Sequence, residues 1–234
     1  MTQPQLAAWL VHLYTASGGV IGMFALIAAA NGDVRQCFLL LCACMIIDAT
    51  DGILARRVKV GQVLPGFDGA MVDNVIDFFT YIWIPIFILA QQNLLPHPAW
   101  VAVPIIAGLY AYGQTDMKTP DSFFLGFPSY WNFVALYLWW LRPEPNLALV
   151  LVIIPAVLTF IPTRYLYPSK NSILAKPTWV LGLIWALLIL YLLAQPVPDQ
   201  RLVLVSLFYP AYYMILSFYI DWKIRRERRA YAGA

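Results

Sequence analysis

Residues 48–77 read DATDGILARRVKVGQVLPGFDGAMVDNVID and set Asp48, Asp51, Asp73 and Asp77 beside long hydrophobic runs. Of the chain's 234 residues, 62% are apolar and only 12% charged. A soluble domain carries about 25% charged residues. Stretches such as 147–161, 179–193 and 202–220 are apolar almost throughout, and runs of that kind read as transmembrane helices. The fold class is therefore an all-α integral membrane protein. A net charge of +3 gives no reason to expect a nucleic-acid partner. Cys37, Cys42 and Cys44 fall in or near one apolar stretch with no histidine beside them, which fits neither a disulfide framework nor a zinc site.

Hydropathy predicts about eight transmembrane helices, roughly 8–30, 36–57, 70–92, 97–114, 128–141, 146–163, 177–195 and 202–222. Turn-forming stretches at 31–33, 95–98, 142–145 and 195–198 divide them. No internal repeat or low-complexity linker is visible, so residues 1–234 read as one membrane domain. With eight crossings both termini share a side. The termini and the even-numbered connections hold Arg56, Arg57, Lys59, Lys118, Arg164, Lys170, Lys176, Lys223, Arg225, Arg226, Arg228 and Arg229, and the other side only Arg35, Arg142 and Arg201. The positive-inside bias puts both termini in the cytoplasm. The acids of 48–77 then face the cytoplasm as well. The basic tail after residue 222 reads as a cluster seated against anionic membrane lipids.

On a helix, Asp48, Asp51, Gly52, Ala55 and Arg56 share one face, and so do Gly69, Asp73 and Asp77. The short connection over 57–68 predicts antiparallel neighbours whose acidic faces meet. Ionisable groups within a membrane are costly and mark function. An all-carboxylate ligand set suits a hard divalent cation such as Mg²⁺, Mn²⁺ or Ca²⁺, not zinc, and Mg²⁺ commonly binds substrate phosphates as well. Small side chains at 52, 55 and 69 leave room near the backbone, and a guanidinium such as that of Arg56 matches a phosphate. These features predict a metal site for a diphosphate-bearing substrate, with one carboxylate as general base.

The pattern Asp48-x-x-Asp51-Gly52-x-x-Ala55-Arg56, followed by Gly69-x-x-x-Asp73-x-x-x-Asp77, resembles the signature of the CDP-alcohol phosphotransferase family. Those membrane enzymes displace CMP from a CDP-linked substrate with an alcohol. The connection over 57–68 is longer than most members have. With the stretch KTPDSFFLGFPSYWN at 118–132, it resembles the bacterial phosphatidylcholine synthase branch. The resemblance implies CDP-diacylglycerol and choline as substrates, and Mn²⁺ or Mg²⁺ as cofactor. It implies Asp48, Asp51, Asp73 and Asp77 as metal ligands, Asp77 also as catalytic base, and Gly52, Ala55, Arg56 and Gly69 as the CDP-binding set. It further implies a bacterial inner membrane, a cytoplasm-facing site and a homodimer.

Choline carries a quaternary ammonium, which aromatic faces hold well. Tyr81 lies one turn beyond Asp77, and Tyr112, Tyr130 and Trp131 flank the family-like connection; with Asn132 they are the choline-binding candidates. Trp and Tyr also crowd membrane interfaces without any ligand. Lys118, Arg164 and Lys170 are candidates for the lipid headgroup and equally satisfy the positive-inside bias. His12, Thr15 and Ser17 are placed to line a nucleotide pocket or to pack between helices. Two other readings stay open: the same chemistry with inositol, serine or glycerol phosphate, and an ion transporter that uses the acids as a path.

Overall fold

The computed structural model describes residues 1–115, 119, 123–166 and 175–232. Helix α1 (Gln3–Ala30) opens on a capping box in which Gln5 N–H donates to Thr2 Oγ1 and Thr2 N–H donates to Gln5 Oε1. Asp33 then caps α2 (Val34–Val58), accepting from Gln36 N–H at 2.9 Å. Lys59 ends α2 in the left-handed conformation, with φ 56°. A single turn, α3 (Val60–Val63), leads to Asp68, which caps α4 (Gly69–Asp77). The rod continues through a π-helical segment, Phe78–Trp83, into α5 (Ile84–Gln91). A 3-10 turn (Pro98–Val101) opens α6 (Ala102–Gly113). Then come β1 (Phe123–Leu125), α7 (Trp131–Leu141), α8 (Pro145–Phe160), β2 (Arg164–Leu166), α9 (Ala175–Ala194), α10 (Gln200–Ser206) and α11 (Phe208–Ala232).

Each of the eight expected apolar stretches contains helix. Five helices are long and apolar enough to cross a membrane: Gln3–Ala30, Val34–Val58, Gly69–Gln91, Lys176–Ala194 and Gln200–Arg228. Pro98–Gly113 and Pro145–Phe160 are apolar but shorter, and α7 has 11 residues. The chain is a helical membrane protein, with a two-stranded antiparallel sheet among the described residues that hydropathy does not reveal.

Helix α1 packs along α2 and also against α4, so it bridges the two acid-bearing helices. The main core gathers Ile82, Ile84 and Ile88 of the third rod with Ala29 of α1, Trp131 of α7 and Leu192 of α9. A smaller core seats this sheet on α11. Strands β1 and β2 are antiparallel, with Phe123 opposite Leu166 and Leu125 opposite Arg164.

Candidate active site

Carboxylate oxygens of Asp48, Asp73 and Asp77 lie within 4.8 Å of one another, and all three residues are half-buried. The helical phase predicted from the sequence brings them together: Asp48 comes from α2, and Asp73 and Asp77 from successive turns of α4. Carboxylates this close repel one another unless a cation neutralises them. Their hard oxygen donors fit Mg²⁺ or Mn²⁺, so the trio can hold a divalent metal. Asp51 lies outside that trio. It is buried, and one of its oxygens accepts from Thr15 Oγ1 at 2.8 Å, tying α2 to α1.

Tyr81 reaches this centre from the π-helical segment, donating its hydroxyl proton to Asp48 Oδ2 at 2.8 Å. A π turn is a frequent mark of a functional position. Its cause lies in the next turn, where Pro85 has no N–H to give to the Tyr81 carbonyl. Gly108 of α6 permits the geometry, because a Cβ there would run into the Ile82 side chain. The Tyr112 hydroxyl lies within electrostatic reach of Asp77, Asp48 and Asp73, and its ring meets Phe78 edge-on at 5.4 Å. Tyr130 lies within reach of both the Tyr81 and Tyr112 hydroxyls. Two of the aromatic candidates, Tyr81 and Tyr112, therefore lie beside the acids, and Tyr130 lies next to both. Trp131 and Asn132 do not share their exposure. Both are buried in the core, Asn132 Nδ2 donating to Met45 Sδ at 3.2 Å one turn before Asp48.

The glycine and arginine positions divide. The exposed Arg56 side chain lies over Gly52, its Nη1 3.3 Å from where a Cβ would stand. The space in front of Gly69 belongs to His12 of α1, whose ring also packs on Phe67 with centroids 4.4 Å apart. Ala55 is half-buried. His12 Nε2 is buried and makes no hydrogen bond among the described residues. Ser17 turns back to the Tyr14 carbonyl. Of the lipid-headgroup candidates, Lys118 and Lys170 lie outside the described residues. Arg164 is ion-paired with buried Asp221, Nη1 to Oδ1 at 3.3 Å.

Sequence reasoning missed the polar ladder on α11. Tyr213, Ser217, Asp221 and Arg225 recur every four residues. Tyr213 donates to the Leu166 carbonyl at 2.8 Å, Ser217 Oγ accepts from Leu166 N–H at 3.2 Å, and Asp221 accepts from Arg164 and from Arg225 Nε. Arg225 Nη2 closes the clamp on the Pro162 carbonyl. Beside it, burial and the Asp221 charge push the Tyr165 hydroxyl up to about 12. The four-residue repeat of polar groups in an apolar helix was the available signal.

The architecture and the site together define a class: a helical membrane protein with an oxygen-only centre suited to a divalent cation. No family model matches the chain. Among curated proteins it is 38% identical to a phosphatidylcholine synthase of Legionella pneumophila over 226 residues, covering 91% of this chain and 88% of the relative. It is 34% identical to the phosphatidylcholine synthase of Pseudomonas aeruginosa over 223 residues, 94% and 93% of the two chains. For that of Borreliella burgdorferi the figures are 32% over 228 residues, 95% and 97%. The chain belongs to the phosphatidylcholine synthase family.

Proposed function

We propose that this chain transfers the phosphatidyl group of CDP-diacylglycerol to choline, releasing CMP, at the centre formed by Asp48, Asp73 and Asp77. The observation that carries the reading is the convergence of those three carboxylates with the Tyr81 hydroxyl. The choice of choline rests on the relatives' names. Asp48, Asp73 and Asp77 would hold Mn²⁺ or Mg²⁺, and Asp51, on the same face of α2 as Asp48 and bonded to Thr15 of α1, would join them once the cation draws it in. When bound, the cation neutralises the diphosphate.

Asp77 accepts the choline hydroxyl proton. The alkoxide oxygen bonds to the phosphorus that carries diacylglycerol, and the bond from that phosphorus to the oxygen bridging to CMP breaks. CMP leaves with that electron pair. Arg56, exposed above Gly52, meets the diphosphate, while Ala55 and Gly69 keep the CDP side of the site narrow. Tyr81, Tyr112 and Tyr130 receive the trimethylammonium group. Trp131 and Asn132 back them from the core. Lys118 and Lys170 attract the lipid headgroup, and Arg164 supports the same surface through its clamp. All eight apolar segments cross a bacterial inner membrane as one domain, with both termini and the site facing the cytoplasm. The basic-residue distribution supports that orientation.

The test is CMP release by the purified, metal-stripped protein given CDP-diacylglycerol and one of choline, inositol, serine or glycerol phosphate, with and without Mn²⁺. Release should require both choline and the metal. Release with inositol in place of choline would replace the acceptor and keep the chemistry. Full activity after chelation would overturn the metal centre.

A further inference from the structure

Helix α1 carries none of the signature residues, yet it touches both helices that do. His12 fills the space in front of Gly69 of α4, and three residues on, Thr15 Oγ1 donates to Asp51 Oδ2 of α2 at 2.8 Å. Both partners of that bond are buried. A threonine within a helix ordinarily turns its hydroxyl back on the carbonyl four residues earlier. Here that carbonyl, of Val11, lies 3.4 Å away, too far to compete with a carboxylate oxygen at 2.8 Å. The hydroxyl proton therefore goes to Asp51. Neighbouring contacts keep α1 and α2 in register around this bond. The Tyr14 and Thr50 hydroxyls are 2.8 Å apart, and Cys44 Sγ donates to the Gly18 carbonyl at 3.3 Å. An ionised carboxylate accepts through two oxygens. With Oδ2 taken by Thr15, Oδ1 is the oxygen left for a cation.

We propose that Thr15 is a positioning residue for the metal centre: its hydroxyl ties Asp51 Oδ2 to α1 and presets the buried carboxylate, so that the other oxygen can join Asp48, Asp73 and Asp77 around a divalent cation. The inference rests on the metal centre of the proposed function and adds to it a residue outside the signature. Asp51 lies outside the trio whose oxygens already gather within 4.8 Å, so its approach to a cation is the step that needs guidance. A group that hydrogen-bonds a ligating side chain orients it and strengthens metal binding. Without the hydroxyl, the Asp51 side chain would have to be ordered at the moment of binding, at a cost in rotamer freedom. Thr15 acts only through Asp51 and touches no reacting atom.

The test is Mn²⁺ binding by the metal-stripped protein in detergent, without substrate, read from the electron paramagnetic resonance signal of free Mn²⁺. Thr15→Val keeps the shape of the side chain and removes the donor. Its Kd for Mn²⁺ should rise about tenfold or more, the scale of losing the hydrogen-bond partner of a metal ligand. Thr15→Ser keeps the hydroxyl, and Tyr14→Phe breaks the neighbouring interhelical bond without reaching an acid. Both should stay within about threefold of wild type, the scale of an ordinary bond between membrane helices. Should Thr15→Val fail to fold, Thr15→Cys, whose thiol is a weak donor, must raise the same constant. An unchanged Kd in whichever of the two folds overturns the inference. So does an equal rise in Thr15→Ser, which removes the hydroxyl from the account, or in Tyr14→Phe, which marks a merely structural role. A wild-type protein that binds no Mn²⁺ removes the metal centre and this inference together.

Discussion

A methyl group at position 69 would stand 2.5 Å from His12 Cε1 and 2.9 Å from its Nδ1. The imidazole cannot simply swing aside, because it is buried and packed against Phe67 and Trp9. Gly69→Ala should therefore cost about 1–3 kcal/mol, the usual range for overpacking, read as a lower thermal midpoint in detergent. Because α4 would shift relative to α1, the KM for CDP-diacylglycerol should rise as well. An unchanged midpoint would show that His12 yields. The glycine was legible in the sequence as a small residue in phase with Asp73 and Asp77. Its neighbour was not, since packing between distant helices leaves no periodic trace. Asp51 follows the same rule: its helical face was readable from spacing, whereas its bond to Thr15 was visible only in the fold.

Among the elements, the third rod and α11 do the positioning. The α-helical period predicted Tyr81 on the face of Asp77; the π-helical segment between them changes the path but still delivers the hydroxyl to Asp48. Pro85 was the clue, a missing donor one turn downstream. Helix α11 holds strand β2 through a buried carboxylate shared by Arg164 and Arg225. Removing one partner of a buried ion pair is costly because the other is left uncompensated. Asp221→Ala should destabilise the protein by about 3 kcal/mol, the low end of that range since Arg225 keeps solvent contact. Chemical denaturation in mixed micelles measures it. A loss below about 1 kcal/mol would mean that the clamp carries no more than a surface pair. Hydropathy could not reveal the strand pair, because three-residue strands have too few positions to show alternation.

At the scale of the whole molecule, the acids, the tyrosines and the α11 clamp gather near one end of the bundle. The turns at residues 92 and 142 meet at the other, where Arg142 Nη2 donates to Gln92 Oε1 at 3.0 Å. Composition foretold the helical membrane architecture because long apolar runs have few other uses. Length decided less well: α7 and the two shorter apolar helices fall below the five that are plainly long enough to cross. The family was readable because carboxylates and small residues recur at fixed helical spacing in 48–77, and the similarity extends over most of the chain. The measurement that tests the central claim most directly is choline-dependent CMP release from CDP-diacylglycerol with Mn²⁺, comparing wild type with Asp77→Asn in membranes where both fold. The wild type should release CMP only when choline is present, and the variant should be slower by about a hundredfold to ten-thousandfold. An Asp77→Asn protein that works at the wild-type rate would contradict the account.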